Sequence, residues 1–135
     1  YVSYDFGPLA LTVTNYTFPD GDGTYSTGGF FDGDLEISAS TEIGGLSLMG
    51  GYFPDLETLY IEAGFGLGAV DFAIGFGSDS ADAFYVGAGE SAICNVSFSY
   101  SKEIKITDDY SLPLFSSFIL NPKSEGAFIV IGASF

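Results

Sequence analysis

The sequence of 135 residues has no histidine, no tryptophan, one cysteine and only three Lys or Arg residues. Without histidine, Ser–His catalytic triads are excluded, and general base catalysis and most transition-metal sites lose their commonest residue. Cys94, the single cysteine, has no histidine partner for nucleophilic catalysis and no second cysteine for an internal disulfide. We therefore expect a non-enzymatic protein, with Cys94 as a small buried side chain.

Basic residues are scarce: 18 Asp and Glu stand against three Lys and Arg, which gives a net charge of −15. A nucleic-acid partner is not expected, because a phosphate-binding face needs clustered Lys and Arg. Apolar residues make up 47% of the chain, which is too many for a disordered protein. No run of 18 apolar residues occurs, which excludes a transmembrane helix but not spanning strands.

Alternation of polar and apolar residues with a period of two runs through most of the chain, whereas helical periodicity is nearly absent. In NVSFSYSKEIKI at 95–106, for example, Val96, Phe98 and Tyr100 alternate with Asn95 and small serines. Cut at the turn signals, this pattern predicts a single all-β domain over 1–135 with about eight strands. We place the strands near 2–16 (with a bend at Gly7-Pro8), 34–43, 46–53, 58–67, 70–77, 93–106, 111–120 and 126–135.

The connections alternate in length, because long loops fall on odd connections and the two tightest turns on even ones. The loops at 17–33 and 78–92 are long, whereas Gly44-Gly45 and Gly68-Ala69 are tight. In an up-and-down meander, this places the long loops at one end and both termini at the other. Such asymmetry is typical of an antiparallel up-and-down transmembrane β-barrel in a bacterial outer membrane, with the long loops extracellular.

Side-chain size distinguishes the two faces of the predicted strands. The polar side carries many tiny residues, such as Ser97, Ser99 and Gly64, which suit the lumen of a narrow barrel. The bulky apolar side suits outer-membrane lipid, with Lys102 snorkelling towards the interface. Asp71 and Lys105 are expected to form a cross-strand ion pair with Glu103 nearby. The predicted lumen charges are Glu36, Glu62, Asp71, Glu103 and Lys105.

The last ten residues, GAFIVIGASF, resemble the C-terminal strand of bacterial outer-membrane proteins. In such strands a glycine and alternating hydrophobic residues precede a terminal aromatic, which the barrel-assembly machinery recognises. Phe135 fits the aromatic position, with Ile129 and Ile131 on the same face. The resemblance implies an assembly signal at these three residues.

Two longer stretches resemble the TorF-like outer-membrane porins of the Bacteroidota. YDFGPLALTVTNYTFP at 4–19 matches a Tyr-Asp-Phe-Gly strand of that group. SKEIKITDDYSLPLFSSFILNP at 101–122, followed by FIVIGASF, matches a Lys-Glu-Ile strand and an Ile-Leu-Asn-Pro loop before the last strand. The resemblance covers the ends of the chain, whereas the middle agrees in pattern alone, and it implies an outer-membrane location at the cell surface.

Two loops contain candidate sites that need no histidine. The Asp-Gly-rich loop offers hard oxygen ligands for calcium from Asp20, Asp22, Asp32 and Asp34, although EF-hand spacing is lacking, and a solvated acidic loop is the simpler interpretation. Asp79-Ser80-Ala81 resembles the O-glycosylation motif of secreted Bacteroidota proteins, with Ser80 as the acceptor. We expect no other cofactor.

The sequence thus predicts a narrow porin-like barrel or a structural or surface-recognition barrel. One alternative is that the chain forms part of the wall of a wider outer-membrane channel. A second alternative is an extracellular β-rich subunit that assembles into fibres. In that case strand 2–16, if unpaired, would provide the edge for a homo-oligomer or filament.

Overall fold

The computed structural model describes residues 1–17, 33–80 and 83–133, and these residues form nine antiparallel β-strands. The described part of the chain contains no helix long and apolar enough to cross a membrane. The strands are β1 (Val2–Phe6), β2 (Leu9–Tyr16), β3 (Asp34–Ile43), β4 (Leu46–Phe53), β5 (Thr58–Leu67), β6 (Val70–Asp79), β7 (Ser91–Lys105), β8 (Ser111–Asn121) and β9 (Gly126–Ala133).

Every strand pairs with the next along the chain, so the sheet is one continuous up-and-down meander in the order β1 to β9. Among the described residues, the backbone of each strand pairs only with its sequence neighbours, and β1 does not pair with β9. The predicted all-β antiparallel meander is therefore confirmed. The described strands form an open sheet with edges at β1 and β9.

The strand predicted at 2–16 is in fact a hairpin of two strands, which raises the count from eight to nine. Gly7 has φ +67° and turns the chain so that Phe6 lies opposite Leu9 and Val2 opposite Val13. Glycine adopts this left-handed conformation without a Cβ clash, and Pro8 fixes the φ angle that follows. The extra turn reverses the first strand. Tyr1 therefore lies at the end of the sheet opposite to the one that we expected.

The two ends of the sheet differ in the length of their connections, in agreement with the odd–even pattern in the sequence. We call them the long-loop end and the short-turn end. The long-loop end carries 17–33, 54–57, 80–90 and 122–125. The short-turn end carries 7–8, 44–45, 68–69 and 106–110. At 44–45 both glycines have positive φ, +60° and +82°, which two-residue hairpin turns require when they match the strand twist.

One face of the sheet, the apolar face, is predominantly hydrophobic on every strand and fully open. Phe65 is 52% exposed, Leu67 73% and Ile131 78%. Within the described residues, Phe53 and Cys94 are the only buried hydrophobic side chains. The burial that holds an ordinary domain together is therefore missing from this sheet, and an apolar surface of this extent indicates a non-aqueous neighbour or a partner.

The opposite face, the polar face, keeps its alternation on β7 only because of a β-bulge. Gly75 pairs with Asn95 and Phe76 with Ile93, so Cys94 is an extra residue without a partner on β6. Ile93 and Val96 consequently lie on the same apolar face although three positions separate them. Cys94 turns towards the polar face and is 6% exposed, in agreement with the expected buried thiol.

Candidate functional site

An acidic groove of about 310 Å³ lies on the polar face across β3 to β7. Glu42, Glu62 and Asp71 contribute its carboxylates, and no lysine or arginine among the described residues lines it. The space exists because the remaining lining is mostly small. Its other lining residues are Gly45, Ser47, Gly64, Phe65, Gly66, Phe72, Ala73, Ser97 and Ser99.

Glu62 is the one groove acid that two other side chains hold in place among the described residues. The Tyr60 hydroxyl donates a short hydrogen bond to Glu62 Oε2, and Asn95 Nδ2 donates a second at 2.8 Å. Asn95 Nδ2 also lies 3.2 Å from the Tyr60 hydroxyl oxygen. Side chains of two strands, β5 and β7, thus fix one carboxylate on the polar face. Asn95 Oδ1 is buried with no partner among the described residues.

Gly75 makes this network possible because the Tyr60 side chain lies diagonally across it. A Cβ on Gly75 would overlap the Tyr60 hydroxyl and lie within 2.9 Å of its ring. Gly75 is also the residue opposite both Glu62 and Asn95 in the sheet. A ring laid over a cross-strand glycine restores packing that the glycine itself cannot provide.

The segment 83–87, which we call the inner loop, folds from the long-loop end back across the polar face. Tyr85 stacks on Tyr60 with ring centroids 4.9 Å apart, and Phe84 packs on Phe53 at 5.0 Å. Burial, followed by the charge of nearby Glu36, raises the pKa of Tyr85 to about 12, so its hydroxyl stays neutral. The Tyr60–Glu62–Asn95 network lies between the inner loop and the groove.

Asp79, at the loop end of β6, anchors the inner loop. Its Oδ2 accepts hydrogen bonds of 2.7–3.0 Å from four successive backbone N–H groups, residues 84–87, and its Oδ1 accepts one of 3.1 Å from Thr58. Asp79 and Thr58 are 2% and 0% exposed and lie beyond Phe76, where the apolar belt of β6 ends. Burial acts to raise the pKa of Asp79, but the four amide donors outweigh it and hold the pKa below its ordinary value.

The predicted lumen charges all lie on the polar face, but only Glu62 and Asp71 line the groove. The expected Asp71–Lys105 ion pair is wrong. Asp71 lies opposite Ser99, whereas Lys105 lies opposite Ser111 on β8, because β7 extends five residues beyond the short-turn end of β6. Lys105 instead binds Asp108 at 2.6 Å.

The register places the remaining two lumen charges on either side of the groove. Glu36 lies on β3 with its carboxyl group against Gly51, and Glu103 lies near the short-turn end opposite Pro113. Lys102 falls on the apolar face between Tyr100 and Ile104, as expected for a lysine near an interface.

The assembly-signal and calcium predictions are only partly within the described residues. Ile129 and Ile131 lie on the apolar face of β9, whereas Phe135 lies outside the described residues. Asp34 begins β3, while Asp20, Asp22 and Asp32 lie outside the described residues. In the part of the chain that the structure describes, no cluster of three or more acidic or Cys side chains could hold a metal ion.

Ser80, the glycosylation candidate, is exposed directly after β6, and its N–H donates to the carbonyl of Glu57 at 3.3 Å. The carboxylate of its motif neighbour Asp79 accepts hydrogen bonds from the inner loop, and Ala81 lies outside the described residues.

Glu42, Tyr60, Asn95 and Asp79 were not predicted from the sequence as site residues. Glu42 was recoverable, because it continues the Glu36–Ser38–Ser40 alternation by one step. Asp79 was assigned only to a modification motif, and nothing local indicates that its carboxylate accepts four amides from residues five to eight positions later.

Comparisons of the chain with protein-family models, with curated proteins and with solved structures find no match.

Replacing Gly75 with alanine should break the Tyr60–Glu62–Asn95 network, because the new methyl group occupies the space of the Tyr60 hydroxyl. We expect a loss of about 1–3 kcal/mol in the free energy of unfolding, measured by denaturant titration in detergent micelles. Gly50→Ala is the matched control, since its nearest neighbour would lie at an ordinary 3.8 Å. Equal effects of the two substitutions would contradict the role assigned to Gly75.

The hydrogen bonds from the inner loop to Asp79 should be stable at neutral pH and be weakened in acid, when the carboxylate is protonated. Because the folded pKa of Asp79 is lowered, its contribution is complete above the unfolded value of about 3.9 and is lost as the pH falls through the folded value. The amide proton shifts of residues 84–87, followed by NMR, should therefore titrate together with a midpoint below about pH 4.

The matched control for this titration is the turn at 122–125, where Asn121 Oδ1 accepts from the N–H groups of Lys123 and Ser124, each at 3.0 Å. A neutral amide should show no such midpoint. A common midpoint of residues 84–87 near neutral pH would contradict the assignment of Asp79 as a charged anchor.

Proposed function

We propose that this chain forms part of the wall of a water-filled β-barrel in a bacterial outer membrane, non-enzymatic and with a preference for cations. The observation that carries the proposal is the pairing of an apolar face, exposed on all nine strands, with an opposite face that bears an acidic groove across β3 to β7. A two-faced antiparallel sheet of this kind suits lipid on one side and water on the other.

Lipid is the neighbour that fits the apolar face best. The exposed hydrophobic side chains extend over all nine strands and include aromatic residues on adjacent strands, such as Phe65 and Phe72 with rings 5.0 Å apart. A protein partner would have to cover the whole sheet. A fibre joined through its sheet edges would leave this face in water, so the membrane is favoured over the fibre-forming alternative.

The strand count favours a wide barrel over the narrow one expected from the sequence. In a nine-strand meander, β1 and β9 both run from the long-loop end to the short-turn end, so they are parallel to each other. An antiparallel barrel that contains this sheet needs an odd number of further strands between them. Such a barrel has at least ten strands, and we propose that enough strands are added for the groove to border a lumen that side chains do not fill.

The electrostatics of the polar face favour the passage of cations. Three carboxylates line the groove, and the two lysines that the structure gives ion pairs, Lys105 and Lys123, are bound to Asp108 and Glu90. Rings or clusters of acidic side chains in pores select cations by the field that they create. The resemblance of the chain's ends to TorF-like porins agrees with this proposal, with the long loops outside the cell.

The proposal is tested by reconstituting the full-length protein in planar bilayers and measuring its permeability for cations relative to anions. We expect cation-selective conductance steps. The triple variant Glu42→Gln, Glu62→Gln, Asp71→Asn should lower the permeability ratio by about threefold or more, because the groove loses its three charges.

The matched control removes three acidic charges from exposed turns instead, with Glu57→Gln, Asp109→Asn and Glu125→Gln. This variant should change the ratio little, since solvated charges outside the groove are screened. Anion-selective steps in the unmodified protein, or an equal effect of both triple variants, would contradict the proposed cation pathway.

A further inference from the structure

The hydrogen bonds that hold the inner loop against the sheet converge on one atom. Asp79 Oδ2 accepts from all four N–H groups of residues 84–87. Among the described residues, the segment makes no other hydrogen bond to a strand, since the remaining bond of Gly87 is to Glu90 within the same connection. One carboxylate therefore fixes the conformation and the position of the segment together.

The inner loop packs directly on the backbone of β6 at Gly77. A Cβ on Gly77 would lie 2.6 Å from Tyr85 Cβ, 3.3 Å from Val86 Cγ1 and 3.2 Å from Cys94 Sγ. Three atoms from the loop and from β7 thus converge on the backbone of Gly77. Cys94 is 6% exposed, and its Sγ lies with these two loop atoms around the position of that Cβ.

The inner loop lies on the polar face between the long-loop end and the acidic groove, where it would narrow the path through a barrel. Phe84 and Tyr85 lie over Phe53 and Tyr60, on the long-loop side of the network that holds Glu62. Anything that moves between the long-loop end and the acidic groove along this wall must pass the segment. Its ties to the wall are one buried carboxylate and two aromatic contacts, which a single substitution can weaken.

We propose that the inner loop is a latched constriction: Asp79 is the latch that holds residues 83–87 inward, and release of the latch widens the path to the acidic groove. The widening rests on the proposed function, whereas the latch itself does not. The two parts therefore have separate measurements.

Cys94 reports on the latch, because it is the protein's single cysteine and its Sγ lies beside the inner loop at Gly77. We expect Asp79→Asn to speed the reaction of Cys94 with N-ethylmaleimide by about tenfold or more, since an amide cannot accept four N–H donors as the carboxylate does and the loop opens more often. Asp109→Asn is the matched control, with the same substitution at an exposed turn outside the acidic groove, and should leave the rate unchanged.

A second variant tests the latch in case Asp79→Asn does not fold. Tyr85→Ala alters the loop alone, removes its stacking on Tyr60, and should also accelerate labelling, while circular dichroism should show unchanged strand content in both variants. Labelling rates that stay at the wild-type value in both folded variants would overturn the latch.

Single-channel conductance in planar bilayers tests the constriction. Asp79→Asn should raise conductance by about half or more relative to Asp109→Asn, because the path past Tyr60 is no longer narrowed. Faster labelling without a rise in conductance would overturn the constriction. Absence of conductance in every variant, with labelling accelerated, would count against the proposed function and support the latch.

Discussion

The structure depends on one constraint, the alternation of side chains between two faces of a single sheet. A soluble domain closes its apolar side against a second layer, but the described strands provide no such layer, and only Phe53 and Cys94 are buried hydrophobic residues. The hydrophobic free energy of this face can be gained only from a neighbour outside the sheet. The proposed membrane location follows from this requirement and not from any single motif.

The polar face follows from the same alternation, with small residues in place of large ones. Glycine and serine leave the space in which the groove, the Tyr60 ring and the inner loop lie, and Gly75 and Gly77 are the points where a Cβ would collide with them. The groove carboxylates Glu42, Glu62 and Asp71 therefore lie on an open surface with no lysine or arginine lining the groove among the described residues. Asp79 is the exception, a buried carboxylate satisfied by backbone amides, as buried charges must be.

Much of the fold could be predicted from the sequence, because turn residues and alternation are local signals. The bounds at 34–43, 46–53 and 58–67 agree with the structure to the residue. The hairpin at Gly7-Pro8 was missed because a two-residue turn between alternating segments resembles a bend.

The site was less predictable because it depends on register and on the tertiary position of a loop. The Asp71–Lys105 pair failed because strands of unequal length do not end together, and the latch at Asp79 has no local sequence signal.

The account's central claim is that consecutive residues of a strand face lipid and water in turn. Because the protein contains no tryptophan, Phe98→Trp and Ser99→Trp each introduce a single tryptophan, one on the apolar face and one beside the groove, which can be excited selectively over the tyrosines. In vesicles, lipids brominated in their acyl chains should quench the tryptophan at 98 strongly and that at 99 weakly, while aqueous acrylamide should do the reverse. Strong quenching of both by acrylamide, with none by brominated lipid, would contradict the account.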